Sequence, residues 1–187
     1  MVALMSLWLP ILLAAVLVFV ASSVIHMVLG YHNTDYAKMP KEDDILAALG
    51  PIGIPPGDYF LPHAGGMQAF KDPAFQAKWK KGPVATLTVM PSGVNFMGKQ
   101  LAQWFVYAAV IAFFAGYVAT RTIPPGAHYL IVFRVVGTTA FMGYALGLWQ
   151  MTIWYQRSLT TTLKSTFDGL LYACLTAGAF GWLWPAA

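Results

Sequence analysis

Hydrophobic positions along this chain fall into four long runs, and most polar positions gather between the first run and the second. The first, from about Leu7 to Gly30, reads LWLPILLAAVLVFVASSVIHMVLG. It exceeds the roughly 20 residues that carry a helix across a bilayer core. The others cover about Leu101 to Thr120, Ala127 to Tyr155 and Ser165 to Trp184. Inside the four runs Lys, Arg, Asp and Glu occur only as Arg134 and Asp168. Helices so free of charge predict lipid as their solvent. A cleaved leader peptide competes for the first run, because Ala21, Ser22 and Ser23 are small. No Lys or Arg precedes that run, and apolar residues continue beyond the small stretch, so a retained helix is expected.

The connections sharpen this pattern. Thr122-Ile123-Pro124-Pro125-Gly126 can only turn the chain, since consecutive prolines stop a helix and glycine permits the reversal. The last linker, Gln156 to Lys164, is polar and rich in Thr. Short linkers predict the second, third and fourth runs as antiparallel neighbours. The segment 31–99 is too long for a plain connection and carries its own punctuation. Pro40 followed by KEDDILAAL and Gly50 reads as a short helix, as does Asp72-Pro73 through Lys81-Gly82. GDYFLP from Gly57 to Pro62 and VATLTVM from Val84 to Met90 read as strands. The expected fold is an all-α membrane protein: a four-transmembrane-helix bundle with a small α+β cytoplasmic loop element between helices one and two. Its parts are residues 1–30, 31–99 and 100–187.

Composition agrees. Of 187 residues 58% are hydrophobic and 10% charged, against about 25% charged in soluble domains. The net charge of +4 does not point to nucleic acid. Lys38, Lys41, Lys71, Lys78, Lys80, Lys81 and Lys99 share the central segment with six acids and form no basic face. The lipid bilayer, with anionic head groups, and other membrane subunits are the expected partners. These lysines with Arg157 and Lys164 lie on one side of the expected bundle, and Arg121 on the other. The positive-inside rule then places the central segment in the cytoplasm and both termini in the periplasm of a bacterial inner membrane. Trp8, Trp182 and Trp184 would line the outer interface, and Trp104, Trp149 and Trp154 the inner one. Cys174 is the only cysteine, so no intrachain disulfide forms.

Candidate chemistry is sparse. Arg134 lies about 26 residues before the last turn and Asp168 about 8 after it, which separates their depths by about 20 Å or more at 1.5 Å per residue. They are therefore expected as two features rather than one ion pair. Arg134 would snorkel or stack on Trp182 or Tyr117, and Asp168 would meet Gln150, Thr152 and Trp154. His26, His32 and Asp35 cluster where the first run ends, and with His63 and Asp168 they make a candidate polar or ligand site near the inner interface. On one continuous helix His26 and His32 lie about 120° apart, so they share a site only if the helix unwinds near Gly30. Axial ligation of haem or a chlorophyll by His26 is an alternative, and no cofactor is assigned. Gly143 and Gly147 form a GxxxG, and Ala173, Ala177 and Gly181 repeat small-xxx-small spacing, so these positions are expected at helix contacts. No phosphate loop, GxSxG, HExxH or CxxC occurs.

The stretch HMVLGYHNTDY, with GDYFLPH, KGPVA and the closing FDG…GWLWP, resembles a group of bacterial multi-pass inner-membrane proteins to which no activity is attached. The resemblance implies a membrane bundle and transfers no catalytic residue. The expected function is a non-enzymatic accessory or assembly subunit of a larger membrane complex, of respiratory or photosynthetic type. The alternative is a small-molecule, metal or haem-binding membrane enzyme or carrier, with its site at the cytoplasmic interface.

Overall fold

A computed structural model of the chain describes residues 2–93 and 97–186. They form two compact units, Met1–Ala37 with Phe96–Ala187, and Lys38–Asn95. Residues 31–37 thus belong with the long helices rather than with the inserted segment.

The first unit is built from long helices. A 3-10 turn, Leu4–Leu7, leads into α1, Trp8–Val24, which continues as a π turn over Ile25–Leu29. In the second unit lie α2, Glu42–Leu49, and α3, Pro73–Lys81. The first unit resumes with α4, Met97–Thr122, then α5, Tyr129–Tyr144, α6, Trp149–Tyr155, and α7, Leu159–Trp182. Three helical stretches are long and apolar enough to cross a membrane: Leu4–Leu29, Met97–Thr122 and Tyr129–Tyr155. The fourth expected run, α7, is a 24-residue helix, about 36 Å long at 1.5 Å per residue. It falls outside that group because its first turns carry Lys164, Asp168, Thr160, Thr161, Thr162, Ser165 and Thr166.

The four long helices close a ring: α1 packs on α4 and α7, and α5 packs on the same pair. Across the seam of α1 and α4, the Trp104 indole donates to Ser22 Oγ at 2.7 Å, and Phe19 meets Phe105 edge-on at 5.9 Å. Residue numbers rise on one helix as they fall on the other, so the pair is antiparallel. Small side chains set the seam between α5 and α7. A Cβ added at Gly137 would lie 3.2 Å from Ala177 Cβ, and one at Gly169 would lie 2.9 Å from Ala145 Cβ. Gly143 faces Ile111 of α4, Gly181 lies under the Tyr129 ring, and Gly147 meets nothing within 4 Å. Packing therefore runs through Gly137 and Gly169 with Ala173 and Ala177, not through a paired GxxxG. The third run breaks at Ala145 into a 3-10 turn over Leu146–Leu148, which leaves Gly147 in the bend.

Two boundaries differ from the sequence reading. Lys99 sits in the first turn of α4. The Thr-rich linker shrinks to residues 156–158, turned by a left-handed Gln156, and the threonines join α7. They fit there because their hydroxyls find partners: Thr152 and Thr162 share a hydrogen bond of 2.6 Å, while Ser165 and Thr166 donate back one turn to Thr161 and Thr162. At the opposite end the Pro124-Pro125-Gly126 turn is held to the C-terminal segment. Gly126 N donates to Pro185 O at 2.8 Å, and the Trp184 indole donates to Pro124 O at 2.9 Å.

In the second unit β1, Gly57–Leu61, pairs antiparallel with β2, Ala85–Val89. The Trp79 ring of α3 stacks on Phe60 of β1 and meets Phe70 and Phe75, giving a small aromatic core. Asp72 caps α3 by accepting from Ala74 N at 3.0 Å. Removing such a cap costs about 1 kcal/mol. Asp72→Ala should therefore speed amide hydrogen exchange over residues 73–81 by about fivefold, with exchange in α4 unchanged.

Candidate functional site

The site forms where α1 ends. After the π turn, Gly30 takes φ 65°, a left-handed conformation that glycine adopts without strain. The chain reverses there into a 3-10 turn over Tyr31–Thr34. This is the unwinding that a shared histidine site requires. It folds His32 back onto His26, with ring centroids 4.4 Å apart and planes 5° from parallel.

Asp168, 3% exposed on α7, receives the turn. Its Oδ2 lies 2.7 Å from His32 Nε2, and its Oδ1 accepts from the Tyr31 hydroxyl. The other ring nitrogen of His32, Nδ1, lies 2.7 Å from Asp35 Oδ2. Asp35 Oδ1 in turn accepts from Lys164 Nζ at 3.1 Å, and the same ammonium donates to Tyr31 O and Thr34 Oγ1. The chain of groups runs Tyr31, Asp168, His32, Asp35, Lys164. An ionised carboxylate only accepts, so both ring nitrogens of His32 donate while both carboxylates are charged.

Asp35 is pulled in opposite directions. Burial alone raises its pKa, but the hydrogen bonds and charges of His32 and Lys164 outweigh burial and leave it below the usual aspartate value. Ionised Asp35 therefore stabilises the fold at and above the ordinary carboxylate range, and the contribution is lost as pH falls through the lowered value. An Asp35→Asn protein should show a flatter acid limb than wild type when its unfolding midpoint is followed against pH. Burial first, then the bond to Asp168, raises the Tyr31 phenol and keeps it a proton donor.

His26 Nδ1 lies 3.0 Å from Ser22 O and donates to it, so in the neutral ring Nε2 carries the lone pair. One ligand atom from each of His26, His32 and Asp168 lies within 4.8 Å of the others. With a metal ion on His32 Nε2, its Nδ1–H still donates to Asp35. Each imidazole would then have its second nitrogen fixed by an acceptor, the outer-shell arrangement of metal-bound histidines. Two imidazoles and one carboxylate match zinc sites with an open position and the facial set of non-haem iron. One turn beyond Asp168, the Tyr172 hydroxyl is buried and, like that of Tyr144, has no hydrogen-bond partner among the described residues.

The structure thus brings four of the five sequence candidates together, and puts His63 in the second unit, after β1. Asp168 does not meet Gln150, Thr152 or Trp154; its partners come from the end of α1, because α1 rather than the α6 turn packs on this face of α7. Nor is Arg134 stacked on Tyr117, whose ring takes Arg121 at 5.3 Å. Arg134 is exposed, lines a shallow groove with Thr138 and Cys174, and makes no ion pair among the described residues. Tyr31 and Lys164 were missed as site residues. Lys164 had been counted as a topology charge, and its spacing of four residues from Asp168 on one helix face was the available signal.

Compared with known protein families, curated proteins and solved structures, the chain matches none. The resemblance carried by HMVLGYHNTDY therefore adds nothing to the site, which rests on geometry alone.

Proposed function

We propose that this chain is a multi-pass inner-membrane protein of four spans, with α7 the fourth, and that it holds a divalent transition metal through His26, His32 and Asp168. The observation that carries the reading is the convergence of these three ligands with both imidazole Nδ1 atoms already tied to Asp35 and Ser22 O. Locking α1 to α7 needs only Asp168, Tyr31 and His32. It does not need His26 stacked alongside with a lone pair to spare. Three protein ligands leave a coordination position open, and His26, the exposed member, marks the side from which it is reached. The lysine asymmetry supports an orientation with this end of the bundle cytoplasmic and both termini periplasmic.

The test is metal analysis of the purified full chain, stripped by chelator and reloaded with Zn²⁺ or Fe²⁺. One equivalent should bind, and His26→Ala should abolish it. Stoichiometry that stays at zero in wild type, or is unaffected by His26→Ala, defeats the proposal. Asp35→Asn should leave the ligands in place and weaken affinity by about 10- to 100-fold, the usual effect of removing an outer-shell carboxylate.

The accessory-subunit reading is compatible with a metal site and has one observation in its favour: Arg134, exposed in the second turn of α5 without an ion pair among the described residues, suits an acidic side chain of a neighbouring subunit. Purification in mild detergent tests it, with a co-purifying membrane protein lost in Arg134→Leu as the expected result.

A further inference from the structure

Beside His26 the antiparallel pair α1 and α4 parts into a lateral groove of about 620 Å³, within the size range of small-molecule sites. Its walls are mostly apolar, with Met27, Leu101 and Trp104 among them. Among the described residues, polar groups are confined to His26, Ser22, Ser23, Gln100 and Gln103, and no Lys, Arg, Asp or Glu lines it. The serine hydroxyls are engaged within α1: Ser22 donates to Phe19 O and accepts from Trp104, and Ser23 donates to Phe19 O. Gln100 and Gln103, by contrast, make no hydrogen bond among the described residues. Both are exposed in the first two turns of α4, beside Lys99 and Trp104 at the expected inner interface, so their amides are free to meet a polar head.

These features select an occupant. An apolar trough suits a hydrocarbon chain, and glutamine amides offer donors and acceptors without charge. We propose that the groove binds an uncharged amphiphile, an apolar chain capped by hydroxyl or carbonyl oxygen, with its polar head between Gln100, Gln103 and His26. This deepens the metal reading and rests on it in one respect only: the head would then lie at the open side of the metal. Ligand entry would be from the membrane rather than from water.

The probe is hexadecanol bearing a diazirine, photolysed with the full chain in phosphatidylcholine nanodiscs, with metal content measured on the same samples. Saturable labelling is expected on residues 22–27 and 97–104, displaced by unlabelled hexadecanol and not by palmitate, whose head is charged. Ser23→Phe and Gln100→Trp fill the groove from opposite walls, and each should lower labelling by about tenfold through overpacking. Val110→Phe, on the exposed face of α4 away from the groove, should leave it unchanged. Labelling spread evenly over Val106, Val110 and Phe114, or displaced equally by palmitate, overturns the proposal. Bound metal without saturable labelling sinks the groove and leaves the metal site standing. Saturable labelling of a protein that takes up no metal does the reverse.

Discussion

Replacing Asp168 with Asn should strip the protein of its metal and destabilise it together. The carboxylate is buried, receives Tyr31 and His32 from the end of α1, and offers the only oxygen ligand of the three. Asn keeps the shape and loses the charge. Its amide nitrogen would face either the His32 Nε2–H, which only donates, or the Tyr31 hydroxyl, which would have to turn its proton away to accept. Leaving a buried hydrogen-bond donor without its acceptor costs about 1–3 kcal/mol. Metal affinity should fall by more than the roughly 100-fold upper range for an outer-shell change. The unfolding midpoint in detergent should drop by several degrees even without metal. A variant with wild-type metal content and wild-type midpoint would mean that Asp168 neither ligates nor locks.

The second large effect belongs to the seam between α5 and α7. At Gly169 a new Cβ would lie 2.9 Å from Ala145 Cβ and 3.3 Å from the Tyr144 backbone carbon. Backbone cannot rotate aside as a flexible side chain can, so the helices must part. Gly169→Leu is expected to cost at least about 1–3 kcal/mol, the range for overpacking a tight interior. Gly147→Leu provides the contrast, since nothing lies within 4 Å of its added Cβ; it should stay within about 0.5 kcal/mol of wild type. Thermal unfolding of the two variants side by side decides the matter. Equal destabilisation would refute the packing described here.

That contrast also indicates what the sequence could and could not tell. Helix existence was legible, because long apolar periodicity and the Pro124-Pro125-Gly126 turn are local signals. So were β1, β2 and the Asp72 cap. Gly143 does sit at a helix contact, against Ile111 of α4, while Gly147 meets nothing within 4 Å, because spacing of small residues does not say which helix they face. Gly169, hidden beside Asp168, carries a close approach to the backbone at Tyr144 that no spacing motif marks. His26 and His32 were legible as a pair conditional on unwinding at Gly30, since a glycine permits the left-handed turn and sequence does not require it. The partners of Asp168 were not legible at all. They come from a helix more than 130 residues away in the chain, and only the closing of α1 onto α7 brings them together. Lys164 shows the same limit: its charge is spent on Asp35, so it counts for less in fixing orientation than its sequence position suggests.

X-ray absorption on the metal-loaded full chain reads the ligand set itself. A first shell of nitrogen and oxygen at about 2.0–2.2 Å is expected, with the outer-ring scattering of two imidazoles, and loss of one imidazole in His26→Ala. A shell containing sulfur, or one with no imidazole scattering, would contradict that ligand set.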